Sequence, residues 1–483
     1  MIGLPKELSS SQSRSSASYV DGSIANISTA VGVRYFKATP DHPPFRLFYP
    51  AAEEDASTSS KAVVPVRWFE VTTINNDNNK QGVDVLTTPS SASSSLVNFL
   101  KGYVEVVFSL RTNKPRLFRY IVVPFLTIVS WLLPVRWLRI PNLYRNAPIL
   151  VSKTLSTNTM NESTKQQPQL LPIILFSHGL TGTGEENTIL CMEWAKHGYI
   201  VLSVHHTDGS SCCVPLFDDD DDDDDGRCTE LYYRHGPPRT KSEYDPSFRP
   251  NQLHYRVKEL LQAYHFVIGT TTITNINKNN NDDAAVRNQN NVPKEIQQRV
   301  DTDRVIAAGF SFGAATAALA VTTHKTLFCG GIFLDGWFRV DLQQSVGIAF
   351  KMPHEAFVND DNGFPSNKFP TLFINSEQFQ SYPELFAATM ELATKNNNPN
   401  NSEKKKTTRT SSRVNGGGGD NNTNNDNDDL PIHVIPGTGH QNFCDIVFWL
   451  PDWMLKLFMN PADPAQAYID IVRLSIDFLE KIE

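Results

Sequence analysis

The sequence contains few cysteines and has no excess of basic residues. Six cysteines in 483 residues are too sparse for a disulfide framework. Because no CxxC or Cys/His pattern has the spacing of zinc ligands, we expect neither a metal nor a cofactor. The net charge of −8 argues against nucleic acid as a partner, since neutralising phosphates requires a concentrated basic face. No feature indicates an obligate protein partner.

The amino-terminal residues also lack the apolar core of a secretory signal. The stretch MIGLPKELSSSQSRSS is polar and has no h-region. Sparse cysteines agree with a reducing compartment. These two absences lead us to expect a cytoplasmic protein.

Hydrophobic residues make up 40% of the chain, but they are unevenly distributed. Residues 206–250, 274–298 and 395–429 are dominated by polar tracts, among them the run Asp218 to Asp225. Such composition cannot bury enough apolar surface to offset the entropy lost on ordering, so we predict three disordered insertions. The remainder, roughly 300–350 residues, is enough for one large domain, and we expect a single domain over residues 1–483.

Short apolar runs alternate with helical stretches through the rest of the chain. Nearly continuous apolar strands separated by helices indicate a mostly parallel sheet that is covered by helices on both faces. The ligand site of such an α/β fold is expected at the carboxyl ends of the strands. The strand candidates are Leu171–Phe176, Ile200–Val204, Arg304–Ala308, Gly331–Leu334, Thr371–Ile374 and Ile432–Ile435.

One of these strands leads directly into the sequence Gly-Phe-Ser-Phe-Gly over residues 309–313. An alanine-rich helical stretch follows it. A Gly-x-Ser-x-Gly turn between a strand and a helix is typical of the α/β-hydrolases, in which the serine sits at a sharp turn as the nucleophile. We therefore predict an α/β-hydrolase fold with low-complexity insertions, and Ser311 as its nucleophile.

A serine hydroxyl needs a base, which is normally a histidine held by a carboxylate. In this fold the chain order is serine, acid, histidine. His440 lies in a glycine-rich loop after the last strand candidate and is the predicted base. Asp335 and Glu377 both follow strands between Ser311 and His440, and the pattern alone leaves the choice of acid open.

Acyl transfer also requires N–H donors for the developing oxyanion. The backbone N–H of Phe312, the residue after the nucleophile, is one predicted donor. The loop Ser177-His178-Gly179-Leu180 follows an earlier strand and offers the N–H of Leu180 as the second. Since His178 precedes Ser311 in the chain, we assign it a role in shaping this loop.

Several segments together resemble one family, the platelet-activating factor acetylhydrolases of the plasma and type II intracellular group. These are serine phospholipases that associate with lipoprotein or membranes. The resemblance covers about residues 20 to 455, interrupted by the insertions. The segments that carry it are Phe176-Ser177-His178-Gly179-Leu180, Val204 to Ser210, Gly309 to Thr316, Leu334-Asp335-Gly336-Trp337, Phe373 to Glu377 and Gly439-His440-Gln441-Asn442-Phe443.

The resemblance implies hydrolysis of the sn-2 ester of phosphatidylcholine-like lipids, with a preference for short or oxidised acyl chains. It assigns Ser311 as nucleophile, Asp335 as acid and His440 as base, with Leu180 and Phe312 as the oxyanion residues. This sequence departs from the pattern at Phe310, where these enzymes often carry histidine. The alternatives are a general carboxylesterase or lipase on the same fold, and an inactive membrane-binding scaffold.

A phospholipid substrate lies in a membrane or another lipid surface, and one segment could contact it. Residues 120–135 read YIVVPFLTIVSWLLPV between flanking arginines. Sixteen uncharged residues fall short of the ~20 that span a membrane. Cationic ends and tryptophans favour a segment lying in the headgroup region. We expect residues 96–140 to form an interfacial or cap segment that contacts lipid through Trp131, Leu132 and Trp137. A buried helix and a tilted membrane anchor over 117–138 are the other readings.

Overall fold

A ten-stranded sheet forms the centre of the protein. The computed structural model describes residues 30–51, 64–67, 102, 139–150, 169–217, 228–232, 248–270, 292–338, 369–397, 432–449 and 463–482. The strands are β1 Ala30–Phe36, β2 Phe45–Ala51, β3 Val64–Arg67, β4 Arg139–Arg145, β5 Leu171–Ser177, β6 Ile200–Val204, β7 Cys213–Phe217, β8 Cys228–Tyr232, β9 Val300–Phe310, β10 Phe328–Leu334, β11 Thr371–Ser376 and β12 Ile432–Ile435.

Helices connect these strands and cover the sheet. In chain order they are α1 Thr188–Lys196, α2 Phe248–Val267, α3 Lys294–Gln297, α4 Phe312–Thr323, α5 Glu377–Gln380, α6 Pro383–Asn397, α7 Ile446–Trp449 and α8 Pro464–Leu479, with a 3-10 helix at His440–Phe443 between β12 and α7.

The sheet is parallel where the predicted strands lie and mixed beyond them. Its order is β12-β11-β10-β9-β5-β6-β2-β1-β4-β3, and β7 and β8 form a separate hairpin. Strands β12 to β6 in this order are all parallel, whereas β2 is antiparallel to β6. All six strands predicted from the sequence are confirmed. The sheet, its helices and the serine turn described below confirm the α/β-hydrolase fold.

The core consists of two layers, one on each face of the sheet, because side chains alternate along every strand. In β5, Ile173 and Leu175 pack with residues of α2, α4 and α6. Ile174 and Phe176 pack on the other face with residues of α1 and α8. The indole N–H of Trp194 in α1 donates to Ser475 in α8 over 2.9 Å, which joins the helices of this second layer.

The chain order reverses at β5. From β5 the chain continues to β6 on one side, and β9 later pairs with β5 on the other side. In open α/β sheets such a reversal leaves a crevice at the carboxyl ends of the two strands, where ligands bind. Here the two strands end at the loop that begins at His178 and at the turn that contains Ser311.

The predicted insertions are too wide at several ends. Residues 206–217 are described, and they include strand β7; strand β8 and the start of α2 also fall within the predicted tract 206–250. Helix α3 falls within the tract 274–298, and α6 extends into the tract 395–429. The composition of a whole tract does not reveal these short strands and helix ends, because a few buried contacts are enough to order them. The rest of each tract lies outside the described residues, and the single domain stays a prediction.

Most of the predicted interfacial segment, including Trp131, Leu132 and Trp137, lies outside the described residues. Its last two residues, Arg139 and Ile140, belong to β4, and Ile140 is buried in the sheet. The segment therefore ends earlier than predicted. Of the helices that the structure describes, none is long and apolar enough to cross a membrane.

The contact between α4 and β5 gives a test of the fold. A methyl group on Gly313 would overlap the carbonyl oxygen of Ser177 and lie 2.6 Å from that of His178. We expect Gly313→Ala to lower the melting temperature by roughly 2–10 °C, although alanine favours a helix over glycine. Thermal denaturation measures this.

Gly330→Ala is the matched control. A methyl group there would meet the terminal carbon of Ile482 at 2.7 Å, and the end of a flexible side chain can move. This variant should melt close to the wild type. Equal melting temperatures for the two variants would show that the contact between α4 and β5 has room for a methyl group.

Candidate active site

Ser311 occupies a strained turn at the end of β9. Its φ of 57° and ψ of −118° lie in a region that costs a non-glycine residue about 1–3 kcal/mol. Two backbone hydrogen bonds hold the turn: Ser311 N–H donates to Leu334 O over 2.8 Å, and Trp337 N–H donates to Ser311 O over 3.2 Å. The neighbouring strand β10 and the residues after it therefore maintain the strain.

The two glycines of the motif are required by close packing. A Cβ atom on Gly309 would overlap the carbonyl oxygen of Gly313, and one on Gly313 would overlap that of Ser177. Neither glycine has a positive φ angle, so space, rather than backbone conformation, excludes a side chain. This packing places the first turn of α4 directly against the end of β5.

The structure brings Ser311, His440 and Asp335 into one line. His440 Nε2 lies 3.0 Å from Ser311 Oγ, and His440 Nδ1 lies 2.9 Å from Asp335 Oδ2. A carboxylate can only accept at Nδ1, so the partners assign the proton to Nδ1 and leave Nε2 to accept from the serine hydroxyl. This is the arrangement of a serine nucleophile with its general base.

Asp335 is fully buried and its carboxylate is fixed by three donors. Besides His440, the Ser376 N–H donates to Oδ1 and the Ser376 hydroxyl donates to Oδ2, each over 2.6 Å. The backbone of Asp335 has a φ of 45°, and its N–H donates to Ile374 O. These contacts with β11 hold the carboxylate in place, as orienting a histidine requires.

Glu377, the other candidate acid, contacts the backbone of the histidine loop instead of the imidazole. Its Oε2 accepts a hydrogen bond from Gly437 N–H over 2.7 Å, in the loop that leads to His440. Gln378 accepts the His440 N–H through its side-chain oxygen over 3.0 Å. The start of α5 thus supports the histidine loop, while Asp335 contacts the imidazole. The contact with the imidazole favours Asp335 over Glu377 as the acid.

The two residues predicted to bind an oxyanion lie beside Ser311. Phe312 is the next residue along the chain and begins α4. Leu180 belongs to the loop after β5, which packs on the nucleophile: a Cβ atom on Gly179 would lie 3.4 Å from Ser311 Cβ. Both N–H groups therefore belong to backbone segments that lie next to Ser311.

Phe310, where the sequence departs from the family pattern, packs against the histidine. Its ring centroid lies 4.7 Å from that of His440, with 31° between the planes, and its ring is nearly parallel to Phe443 at 6.2 Å. Trp337 also lies 5.6 Å from the imidazole. Phe310 is 4% exposed, so in this structure it supports the imidazole within an aromatic cluster.

A second serine–histidine–carboxylate line lies below the loop after β5. Ser177 Oγ is 2.8 Å from His206 Nε2, and His206 Nδ1 is 2.7 Å from Glu259 Oε2. Burial lowers the pKa of His206 well below its ordinary value and raises the pKa of Glu259 to about 8. Ser177 and His206 are completely buried, so substrate cannot reach this line, which joins β5, β6 and α2.

His178 contacts its own loop, as predicted. Its Nδ1 donates to Gly179 O over 2.8 Å, and its Nε2 accepts the His206 N–H over 3.2 Å. Accepting at Nε2 requires a neutral ring, and burial lowers the pKa of His178 well below its ordinary value. The histidine is thus an uncharged cross-link between the loops after β5 and β6.

The sequence reasoning missed Arg256, a completely buried arginine in α2. A signal was present in the helical pattern. Arg256 lies three residues after Leu253 and four before Leu260, on the face that those buried leucines define. A charge at a core position of an amphipathic helix indicates a partner inside the protein.

Comparison with known proteins shows the family of the chain. A family model described as "Platelet-activating factor acetylhydrolase, isoform II" matches residues 147–483, which is more than half of the chain. The chain belongs to this family. The matched range contains Ser311, Asp335 and His440, whereas the apolar residues 120–135 precede it.

Curated relatives named platelet-activating factor acetylhydrolase match more weakly. The protein from Bos taurus is 28% identical over 215 residues, covering 44% of this chain and 41% of the relative. That from Canis lupus familiaris is 26% identical over 251 residues, covering 50% and 49%. That from Cavia porcellus is 29% identical over 213 residues, covering 44% and 41%. The matches thus span less than half the length of these relatives.

Among solved structures, a ferulic acid esterase from Streptomyces cinnamoneus aligns with a TM-score of 0.44 at 14% identity. The alignment covers 94% of this chain and 89% of that one.

The two carboxylates provide a test of the site. We expect a fluorophosphonate probe to label Ser311, and Asp335→Asn to slow labelling by about 100-fold or more, because the imidazole loses the group that sets its tautomer. Glu377→Gln should label at nearly the wild-type rate, since its side chain keeps an oxygen for Gly437. Labelling rates followed by intact-protein mass spectrometry measure this. The reverse order of the two variants would assign the acid to Glu377.

Proposed function

We propose that this protein is a serine esterase that hydrolyses the sn-2 ester of platelet-activating factor-like phospholipids carrying acetyl, short or oxidised acyl chains. The observation that carries the esterase proposal is the line of contacts from Ser311 through His440 to Asp335, with spacings of 3.0 and 2.9 Å, at the sheet reversal where α/β folds bind ligands. Family membership and the names of the curated relatives support the lipid substrate.

In the proposed reaction, Ser311 Oγ attacks the carbonyl carbon of the sn-2 ester while His440 Nε2 takes the hydroxyl proton. The buried Asp335 carboxylate stabilises the imidazolium. The N–H groups of Leu180 and Phe312 stabilise the negative oxygen of the tetrahedral intermediate. The intermediate collapses to an acyl-enzyme when His440 returns the proton to the leaving lyso-lipid oxygen. Water, activated by His440, then releases the carboxylate.

Acyl-chain length distinguishes this proposal from a general lipase. We expect hydrolysis of a 2-acetyl phosphatidylcholine to exceed that of the 2-palmitoyl lipid by at least about tenfold in kcat/KM, which corresponds to a modest difference in transition-state binding. Fatty-acid release across an acyl series measures this, with Ser311→Ala as the inactive control. A preference for palmitoyl would support a long-chain lipase. Equal activity in Ser311→Ala would show that the hydrolysis does not depend on Ser311.

Residues 120–135 are our proposed contact with the lipid surface, which would make the protein peripherally membrane-associated. An uncharged run with tryptophans and flanking arginines suits the headgroup region. We expect the double change Trp131→Glu and Leu132→Glu to weaken binding to phosphatidylcholine liposomes by about tenfold or more, because two charges would enter an apolar layer. Sedimentation with liposomes measures this.

Hydrolysis of a soluble acetyl ester is the matched readout for this change. The double variant should keep wild-type activity on that ester, since the site lies elsewhere in the chain. Unchanged liposome binding would contradict the docking role. Loss of liposome binding together with loss of ester hydrolysis would instead indicate that the segment packs in the core.

A further inference from the structure

The guanidinium of Arg256 lies beneath the loop that carries Leu180. Nη1 donates to the carbonyl oxygen of His178 over 2.7 Å, and Nη2 lies 3.3 Å from that of Gly179. One buried side chain thus contacts two successive carbonyl groups of the loop. Arginine suits this position because its planar group presents several donors in a fixed geometry.

The Gly179 carbonyl matters because it shares a peptide unit with the N–H of Leu180. In a trans peptide the C=O and N–H bonds point in opposite directions, and the described residues contain no cis peptide bond. The oxygen also accepts from His178 Nδ1 over 2.8 Å and from Gly182 N–H over 3.3 Å. Donors that hold this oxygen therefore fix the direction of the Leu180 N–H.

Arg256 is itself held by the loop after β6. Nε lies 3.2 Å from Asp208 Oδ2, and Nε and Nη2 donate to Ser210 Oγ over 2.9 and 2.6 Å. Ser210 O accepts the N–H of Thr181, the residue after Leu180, over 2.7 Å. Asp208 balances the buried charge, so the guanidinium can remain protonated inside the protein.

The same guanidinium also contacts the second oxyanion residue. Its central carbon lies 4.7 Å from the ring centroid of Phe312, a distance within the range of a cation–π contact. Arg256 thus touches the side chain of one predicted donor residue and the peptide unit of the other.

We propose that Arg256 is a positioning residue for the oxyanion hole, fixing the Leu180 N–H through the Gly179 carbonyl and supporting Phe312 from below. The proposal rests on the proposed esterase function. Because the oxyanion exists only in the intermediate and its transition states, a loosened donor should lower kcat and leave KM nearly unchanged.

The test replaces Arg256 by lysine, which keeps the charge opposite Asp208 but cannot reach both carbonyl groups. With a soluble acetyl ester we expect kcat to fall about 10- to 100-fold, somewhat less than for complete loss of an oxyanion donor, and KM to change by less than about threefold. Arg299→Lys is the matched control: Arg299 is also buried and donates to a backbone carbonyl, that of Leu150, but at the opposite end of the sheet. It should keep wild-type kcat.

A reaction that forms no oxyanion shows whether Arg256→Lys affects only the oxyanion hole or disturbs the whole site. In a Ser311→Cys background, iodoacetamide alkylates the sulfur, iodide leaves, and His440 can take the thiol proton. Adding Arg256→Lys should leave the alkylation rate at residue 311, measured by peptide mass spectrometry, within about twofold, since only the charge on an acyl oxygen requires the hole. Equal losses of alkylation and of ester hydrolysis would overturn the proposal, as would unchanged kcat in Arg256→Lys.

Ser210→Ala is a milder variant in case lysine disrupts folding. It removes an acceptor of Arg256 without leaving a charge unpaired, and kcat should fall roughly 2- to 10-fold with alkylation of the Ser311→Cys protein unchanged. Unaltered kcat in folded Ser210→Ala would count against the proposal. Absence of ester hydrolysis by the wild type would refute the esterase function itself, an outcome distinct from failure of the Arg256 variants.

Discussion

The junction between β9 and α4 leaves no room for a side chain at Gly309 or Gly313, two residues before and after Ser311, and the rest of the site depends on this close packing. Gly309 and Gly313 allow the turn to close, and Gly313 lets α4 rest on the backbone of Ser177. That contact brings the loop after β5 to the nucleophile. The strain at Ser311 is maintained by bonds from β10, whose last residue is followed by Asp335. One tight turn thus brings together Ser311, Asp335 and the loop that carries Leu180.

The site combines two polar systems with different exposure. The imidazole of His440 is partly exposed, whereas the Asp335 carboxylate behind it is fully buried. Beneath the loop after β5, His206, Glu259 and Arg256 form a network that is closed to solvent. Burial favours the uncharged form of His206, which suits a role in holding backbone. Similar residue types thus form a partly exposed line in one place and a fully buried one in the other.

The strands could be predicted because an apolar run is a local signal. Local signals also singled out Ser311 and His440, a glycine-bracketed serine and a histidine after a strand, which the structure brings within 3.0 Å of each other. The acid could not be chosen from residue pattern, since Asp335 and Glu377 both follow strands. In the structure Asp335 contacts the imidazole of His440, whereas Glu377 contacts the backbone of Gly437. Arg256 was missed, and the tract from residue 206 was predicted to be disordered, for the same reason. Arg256 and its partner Asp208 in that tract are some 50 residues apart in the chain. Composition within a window cannot register such pairing.

The register between β5 and β9 fixes the position of the loop after β5 relative to Ser311. Ser177 lies opposite Gly309 in this ladder, so the two strand ends define the gap between the serine and the loop facing it. A slip of one residue would move that loop by about 3.3 Å, whereas catalytic groups must be held within about 0.5 Å. None of the three polar tracts, 206–250, 274–298 and 395–429, falls within the paired residues of this ladder.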